Sequence, residues 1–187
     1  VNAFTAHCWF FMQSSHALVA DQFNAVNALI TEQLNSEVGL VENISHYLVD
    51  SGGKRVRPLV TLLSAAALGD ANHFKQIQLA TAIEFLHTAT LLHDDVVDMS
   101  TLRRGQPTAN ANWGNASSVL VGDFVYSKAF ELMVAIGSLP VMDVLSHSTT
   151  KIAEGEVKQL MLIGDLSLSQ ADYFDVIRNK TAVLFSG

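Results

Sequence analysis

Three acids and two arginines crowd the stretch His93-Asp94-Asp95-Val96-Val97-Asp98-Met99-Ser100-Thr101-Leu102-Arg103-Arg104-Gly105. In a helix over residues 91–99, Asp94 and Asp98 stand one turn apart on one face, with Asp95 rotated to the flank. Carboxylates at that spacing repel each other, and a divalent cation removes the repulsion by taking both as oxygen ligands. Acids at a helix C-terminus also oppose the helix dipole, so stability alone would not select them. The expectation is a metal site on Asp94 and Asp98, with Asp95 orienting the cluster from its side. A second group, Lys54-Arg55-Val56-Arg57, follows Gly52-Gly53 and precedes Pro58. Taken alone, it would be a solvated basic turn.

The elements that must position these groups read as helices. Apolar residues at three-and-four spacing predict helices over 15–36, 38–49, 58–68, 73–99, 117–136, 141–163 and 169–185. Gly52-Gly53 and Gly69 suit helix ends in left-handed geometry, and Pro58 suits a first turn. Lys54 and Arg57 then fall at a helix entrance, and the acids at the C-terminal end of the long fourth helix. Residues 101–115, with Gly105, Pro107 and Gly114, read as a loop, and no strand is expected. The predicted fold is an all-α bundle in a single domain over 1–187, with a polar funnel at one end lined by Asp94 and its neighbours.

Composition narrows the function classes. With 49% hydrophobic and only 16% charged residues, much helical surface should be covered, in the core or between subunits, and a homodimer is expected. The net charge of -7 argues against a nucleic-acid binder. The single Cys8 fits a reducing compartment, so the cytoplasm is expected, and the apolar runs are too short to span a bilayer. Residues 1–11 read as an extension or tag.

The pattern Asp-Asp-x-x-Asp followed by Arg103-Arg104-Gly105 resembles the first aspartate-rich motif of the trans-isoprenyl diphosphate synthases. The resemblance extends through Gly52-Gly53-Lys54-Arg55-Val56-Arg57-Pro58, Phe85-Leu86-His87-Thr88-Ala89-Thr90-Leu91-Leu92-His93, Gly122-Asp123, Glu154-Gly155-Glu156 and Lys180-Thr181-Ala182-Val183-Leu184-Phe185, in the family's order. It covers residues 36–187.

That resemblance implies a helical bundle of the isoprenoid synthase type. It also implies Mg²⁺-dependent head-to-tail condensation of isopentenyl diphosphate with an allylic prenyl diphosphate. Mg²⁺ on Asp94 and Asp98 would stabilise charge on the departing diphosphate, and the released diphosphate would take the proton. Lys54, Arg57, His87 and Arg104 are implied for isopentenyl diphosphate, and Arg103, Lys180 and Thr181 for the allylic diphosphate. Ala89 and Thr90 lie five and four residues before Asp94, where family members with short products place aromatics. Both are small here, which implies a long product of octaprenyl type, with Met133 as a candidate floor to the tunnel. Arg55 keeps its bland reading, His93 is expected to be structural, and Glu84, Asp123, Glu154 and Glu156 are not assigned to metal.

Full family members carry a second aspartate-rich motif on a later helix, and no such motif occurs up to Gly187. An N-terminal portion of a longer synthase, incomplete at the C-terminus and inactive as it stands, is the expectation. Two other functions stay open. A class I terpenoid cyclase would share the metal chemistry but needs no Lys54, Arg57 and His87. A non-catalytic subunit of a heteromeric synthase would not need Asp94, Asp95 and Asp98.

Overall fold

The computed structural model describes residues 15–50, 52–69 and 73–187, Asp50 through its backbone alone. Cys8 and the extension expected at residues 1–11 lie outside them. The chain divides into two compact units, Val1–Ile136 and Gly137–Gly187.

In the first unit, α1 (Ala20–Gln33), α2 (Gly39–Asp50) and α3 (Val56–Ala67) lead to the long α4 (His73–Val97). After α4 come α5 (Ala109–Trp113) and α6 (Asn115–Ile136). The glycine expectations bear on real ends: Gly52 and Gly69 both take positive φ, 76° and 72°, just past α2 and α3. α4 packs against α6, α3 and α1. Its buried residues therefore form more than one stripe, including Gln76, Ala80, Ala82, Phe85, Leu86, Ala89, Leu92 and Asp95. Ala80, Ala82 and Ala89 are fully buried, and small side chains there let neighbouring helices approach closely. His87, Asp94 and Asp95 thus sit on a helix packed against several others.

The loop over 101–115 needs correction. Leu102–Arg103 (β1) and Gln106–Pro107 (β2) pair antiparallel, with Leu102 opposite Pro107 and Arg103 opposite Gln106. The two residues between them, Arg104 and Gly105, both have positive φ, 54° and 79°, as a type I′ hairpin turn requires. Two-residue strands, a proline in one and arginine at a turn position that favours Asn, Asp or Gly, hide this hairpin from pattern reading. Thr108 then caps α5, its hydroxyl accepting from Ala111 N at 3.4 Å.

The second unit holds α7 (Leu139–Met161), α8 (Gln170–Ile177) and α9 (Val183–Ser186). Ser169 caps α8 by accepting from Asp172 N at 3.1 Å. The continuous helix expected over 169–185 is interrupted, because Arg178–Ala182 winds as a π-helix. Gly155 on α7 makes room for that segment, since a Cβ there would come within 2.8 Å of Lys180 N. Among the described residues, no helix is long and apolar enough to cross a membrane.

Candidate active site

Five basic or imidazole side chains from three separate stretches meet in one place. Lys54 and Arg55 precede α3, Arg57 lies in its first turn, His87 lies on α4, and Arg104 sits at the hairpin tip. With Gly53, Val56 and Glu84 they line an open pocket of about 510 Å³. Arg104 reaches across to the bare backbone of Gly53, where a Cβ would come within 2.7 Å of its Nη1. Arg55, the residue capping α3, and Arg104 both hold left-handed backbone, with φ of 43° and 54°. Such conformations cost non-glycine residues about 1–2 kcal/mol each. Strain of that kind tends to persist where surrounding structure and function require it.

The electrostatics suit a polyanion. Burial, followed by the charges of Arg57, Arg104 and Arg103, pushes His87 down to about 3, so its imidazole is neutral at physiological pH. Burial raises the pKa of the Glu84 carboxyl, against the opposing pull of Arg55, Arg57 and Arg104. Burial also lowers Arg57, with Glu84 acting the other way. A pocket in which cations outnumber one carboxylate, walled by protein, focuses positive potential on a ligand such as a diphosphate. The first turn of α3 adds backbone N–H groups, since no side chain caps it.

Two turns further along α4 the charge reverses. Asp95 is only 2% exposed and is gripped by Arg103, whose Nε donates to both carboxylate oxygens at 3.2 and 3.1 Å and whose Nη2 donates at 2.8 Å. This fork raises the pKa of Arg103, mainly through the hydrogen bonds to Asp95. Asp94 is half-buried and Asp98 exposed. Asp98 N still donates to Asp94 O at 2.7 Å, so the helical turn carrying both side chains on one face stays closed. Among the described residues, no three His, Cys, Asp or Glu side chains converge as a ready-made metal cage. Two carboxylates fit Mg²⁺ nevertheless, because it keeps waters and takes substrate phosphate oxygens in preference to an all-protein cage.

Neighbouring side chains fix this helix face. His93 Nε2 lies 3.2 Å from Val119 O and 3.3 Å from Asp123 Oδ1, seated on Gly122, where a Cβ would overlap its ring. Between the two charged regions, Ala89 is fully buried and Thr90 donates its hydroxyl to His87 O at 2.7 Å. Met133, on α6, is 1% exposed. Lys180 and Thr181 belong to the second unit, on its π-helical segment, where Lys180 Nζ donates to Glu156 Oε2 at 2.7 Å.

Arg55 and Glu84 are pocket residues that sequence reasoning left aside. Glu84 had a readable signal, since it stands three residues before His87 and so shares its helix face. Arg55 had none, because its direction depends on an unusual backbone conformation.

The family model described as Polyprenyl synthetase matches residues 38–187. The octaprenyl diphosphate synthase of Escherichia coli (strain K12) is 50% identical over 174 residues, covering 93% of this chain and 54% of the relative. Among solved structures, a decaprenyl diphosphate synthase from Rhodobacter capsulatus superposes with a TM-score of 0.90 at 46% identity, covering 94% of this chain and 54% of that one. A polyprenyl synthase from Caulobacter crescentus CB15, complexed with calcium and isoprenyl diphosphate, gives a TM-score of 0.89 at 48% identity, covering 94% and 53%. The chain spans about half the length of the relatives it matches.

Proposed function

Because the chain belongs to the polyprenyl synthetase family, we propose that the protein carrying it condenses isopentenyl diphosphate with an allylic prenyl diphosphate, head to tail. The observation that carries this reading is the meeting of Lys54, Arg57, His87 and Arg104 in one pocket, on the helix that also bears Asp94 and Asp98. Chain elongation needs two diphosphate sites with different duties. Isopentenyl diphosphate keeps its carbon–oxygen bond, so fixed positive charge suffices to hold it, and Lys54, Arg57 and Arg104 supply that charge. His87, neutral in this setting, offers a hydrogen bond without adding charge. The allylic substrate must ionise, and Mg²⁺ held by Asp94 and Asp98 would supply Lewis-acid stabilisation of its departing diphosphate.

Arg103 faces that same diphosphate in this reading. Its grip on Asp95 fixes the guanidinium before substrate arrives, so little reorganisation remains for the reaction. Lys180 and Thr181 keep the allylic-diphosphate role that the family resemblance implies, and the widened π-helical winding at their segment suits a functional stretch, since π-helical turns recur at such places. Ala89, packed among its neighbouring helices, and Thr90 carry none of the aromatics that the family resemblance implies for short products, which favours a long product of octaprenyl type, with Met133 as floor. The Caulobacter relative supports the pairing of a divalent cation with an isoprenyl diphosphate. Exposed apolar residues on α6, Leu120 at 67% and Val134 at 63%, support assembly as a homodimer.

The test is incubation of the intact protein with labelled isopentenyl diphosphate, an allylic primer and Mg²⁺. Labelled prenyl diphosphate should accumulate, and Asp94→Ala should slow its formation about 10²–10³-fold. Undiminished turnover by that variant would refute the metal role, and cyclised hydrocarbon in place of prenyl diphosphate would move the protein to the terpenoid cyclases.

A further inference from the structure

The arginine hairpin is too short to hold its own shape. Its ladder pairs two residues on each side, and its turn residues, Arg104 and Gly105, are both left-handed. Something outside must fix it. Arg103 is held by its own side chain on Asp95. The outgoing strand is tied by Tyr47, whose hydroxyl donates to Pro107 O at 2.7 Å. The base of the hairpin is tied by Asn110, whose Nδ2 donates to two main-chain carbonyls, Asp95 O at 3.2 Å and Ser100 O at 3.0 Å. Thr108 adds its hydroxyl to Ser100 O at 2.8 Å, and its N–H to Thr101 O at 3.1 Å.

The Asn110 amide can be oriented only one way, because turned over its oxygen would face two carbonyl oxygens. In this orientation Oδ1 is enclosed and meets no donor among the described residues. A buried acceptor without a partner is unfavourable, and an apolar side chain would avoid it. The residue is accordingly there for its two donors, which bridge the last turn of α4 and the start of the hairpin. Arg104, lying against the backbone of Gly53 with no clamp like that on Arg103 among the described residues, depends on where this base is set.

We propose that Asn110 is a positioning residue, which by joining the Asp95 and Ser100 carbonyls holds the hairpin so that Arg104 reaches the anion pocket shared with Lys54, Arg57 and His87. The proposal rests on the function given above for the identity of the anion, not for the geometry. It separates the two arginines, since loss of Asn110 leaves the base to the Ser100 N–Asp95 O bond at 2.9 Å and the Thr108 and Tyr47 ties and lets Arg104 shift, while Arg103 keeps its hold on Asp95.

Steady-state kinetics of Asn110→Ala in the intact protein should show the KM for isopentenyl diphosphate raised about tenfold, with kcat and the allylic KM within about twofold of the parent. On an Arg104→Ala background, Asn110→Ala should add less than about twofold, because both changes remove one interaction. Inorganic pyrophosphate, titrated calorimetrically in EDTA so that only the cationic pocket binds it, should bind the variant about tenfold more weakly. Asn110→Ser, which keeps one donor, should show the same split at smaller size and serves if the alanine variant does not fold. The proposal is overturned if the isopentenyl diphosphate KM and the pyrophosphate Kd are unchanged, if kcat and both KM values worsen alike, or if the two substitutions act additively. A parent protein without prenyl transfer would sink the proposed function instead, and the pyrophosphate titration would still decide the role of Asn110.

Discussion

In the proposed function, the two ends of the charged face on α4 would hold a diphosphate in opposite ways. Around His87 the protein brings its own cations together from the α3 entrance and the hairpin tip, in a walled pocket with a neutral imidazole. Around Asp98 it presents carboxylates at a helix end that is open to solvent, and Arg103 is already committed to the buried Asp95. The first region supplies its own positive charge. The second would be a half-site in this reading, whose charge would match a diphosphate only with a divalent cation between. The difference teaches that one helix can carry two opposite electrostatic settings two turns apart, suited in the proposed function to binding and to ionisation.

Four substitutions or conditions break or sharpen this contrast, taken from the largest effect down. Asp94→Ala removes a ligand from the half-site and should lower kcat by about 10²–10³-fold with little change in the isopentenyl diphosphate KM, measured by product radiolabel. Gly53→Ala leaves the acids alone but puts a methyl group where the Arg104 guanidinium lies. It should raise the KM for isopentenyl diphosphate about fivefold to tenfold at constant kcat, the mirror image of Asp94→Ala. Ala89→Phe, between the two regions, should shorten the product as resolved by chromatography. Because Ala89 is fully buried, it should also cost about 1–3 kcal/mol of stability from overpacking, read by denaturant titration.

The smallest effect is a pH dependence that belongs to the cationic region alone. The folded pKa of His87 lies near 3, below its ordinary 6.5, so between those values the unfolded chain binds the proton more readily. Stability contributed by neutral His87 is present above about pH 6.5 and is lost as the pH falls toward 3, at no more than about 1.4 kcal/mol per pH unit. His87→Gln should flatten that decline in urea unfolding between pH 7 and pH 4. An equal slope in the variant would remove His87 from the account.

Much of this arrangement is legible in the residue order. Pro58 between Arg57 and an apolar run, and glycines after α2 and α3, set three helix boundaries because each has one strong backbone preference. Asp94 and Asp98 advertise themselves by a spacing that is unfavourable without a ligand. The hairpin does not, since its turn rests on Arg104 in a conformation that arginine seldom adopts. Arg55 is hidden for the same reason, and Asn110 because its role lies in two main-chain carbonyls that no residue pattern encodes. The π-helical winding at Lys180 is likewise invisible to a helical period, although Gly155 marks the place on α7 where it packs. Local preference reveals the scaffold, whereas positions fixed by tertiary contact against that preference hold several of the pocket residues.

Calorimetric titration of the intact protein with each substrate, in Mg²⁺ and in EDTA, tests the division between the two regions most directly. Isopentenyl diphosphate should bind with the same affinity in both media, and the allylic diphosphate only in Mg²⁺, with Asp94→Ala losing the second binding and keeping the first. Equal metal dependence of both substrates, or of neither, would contradict it.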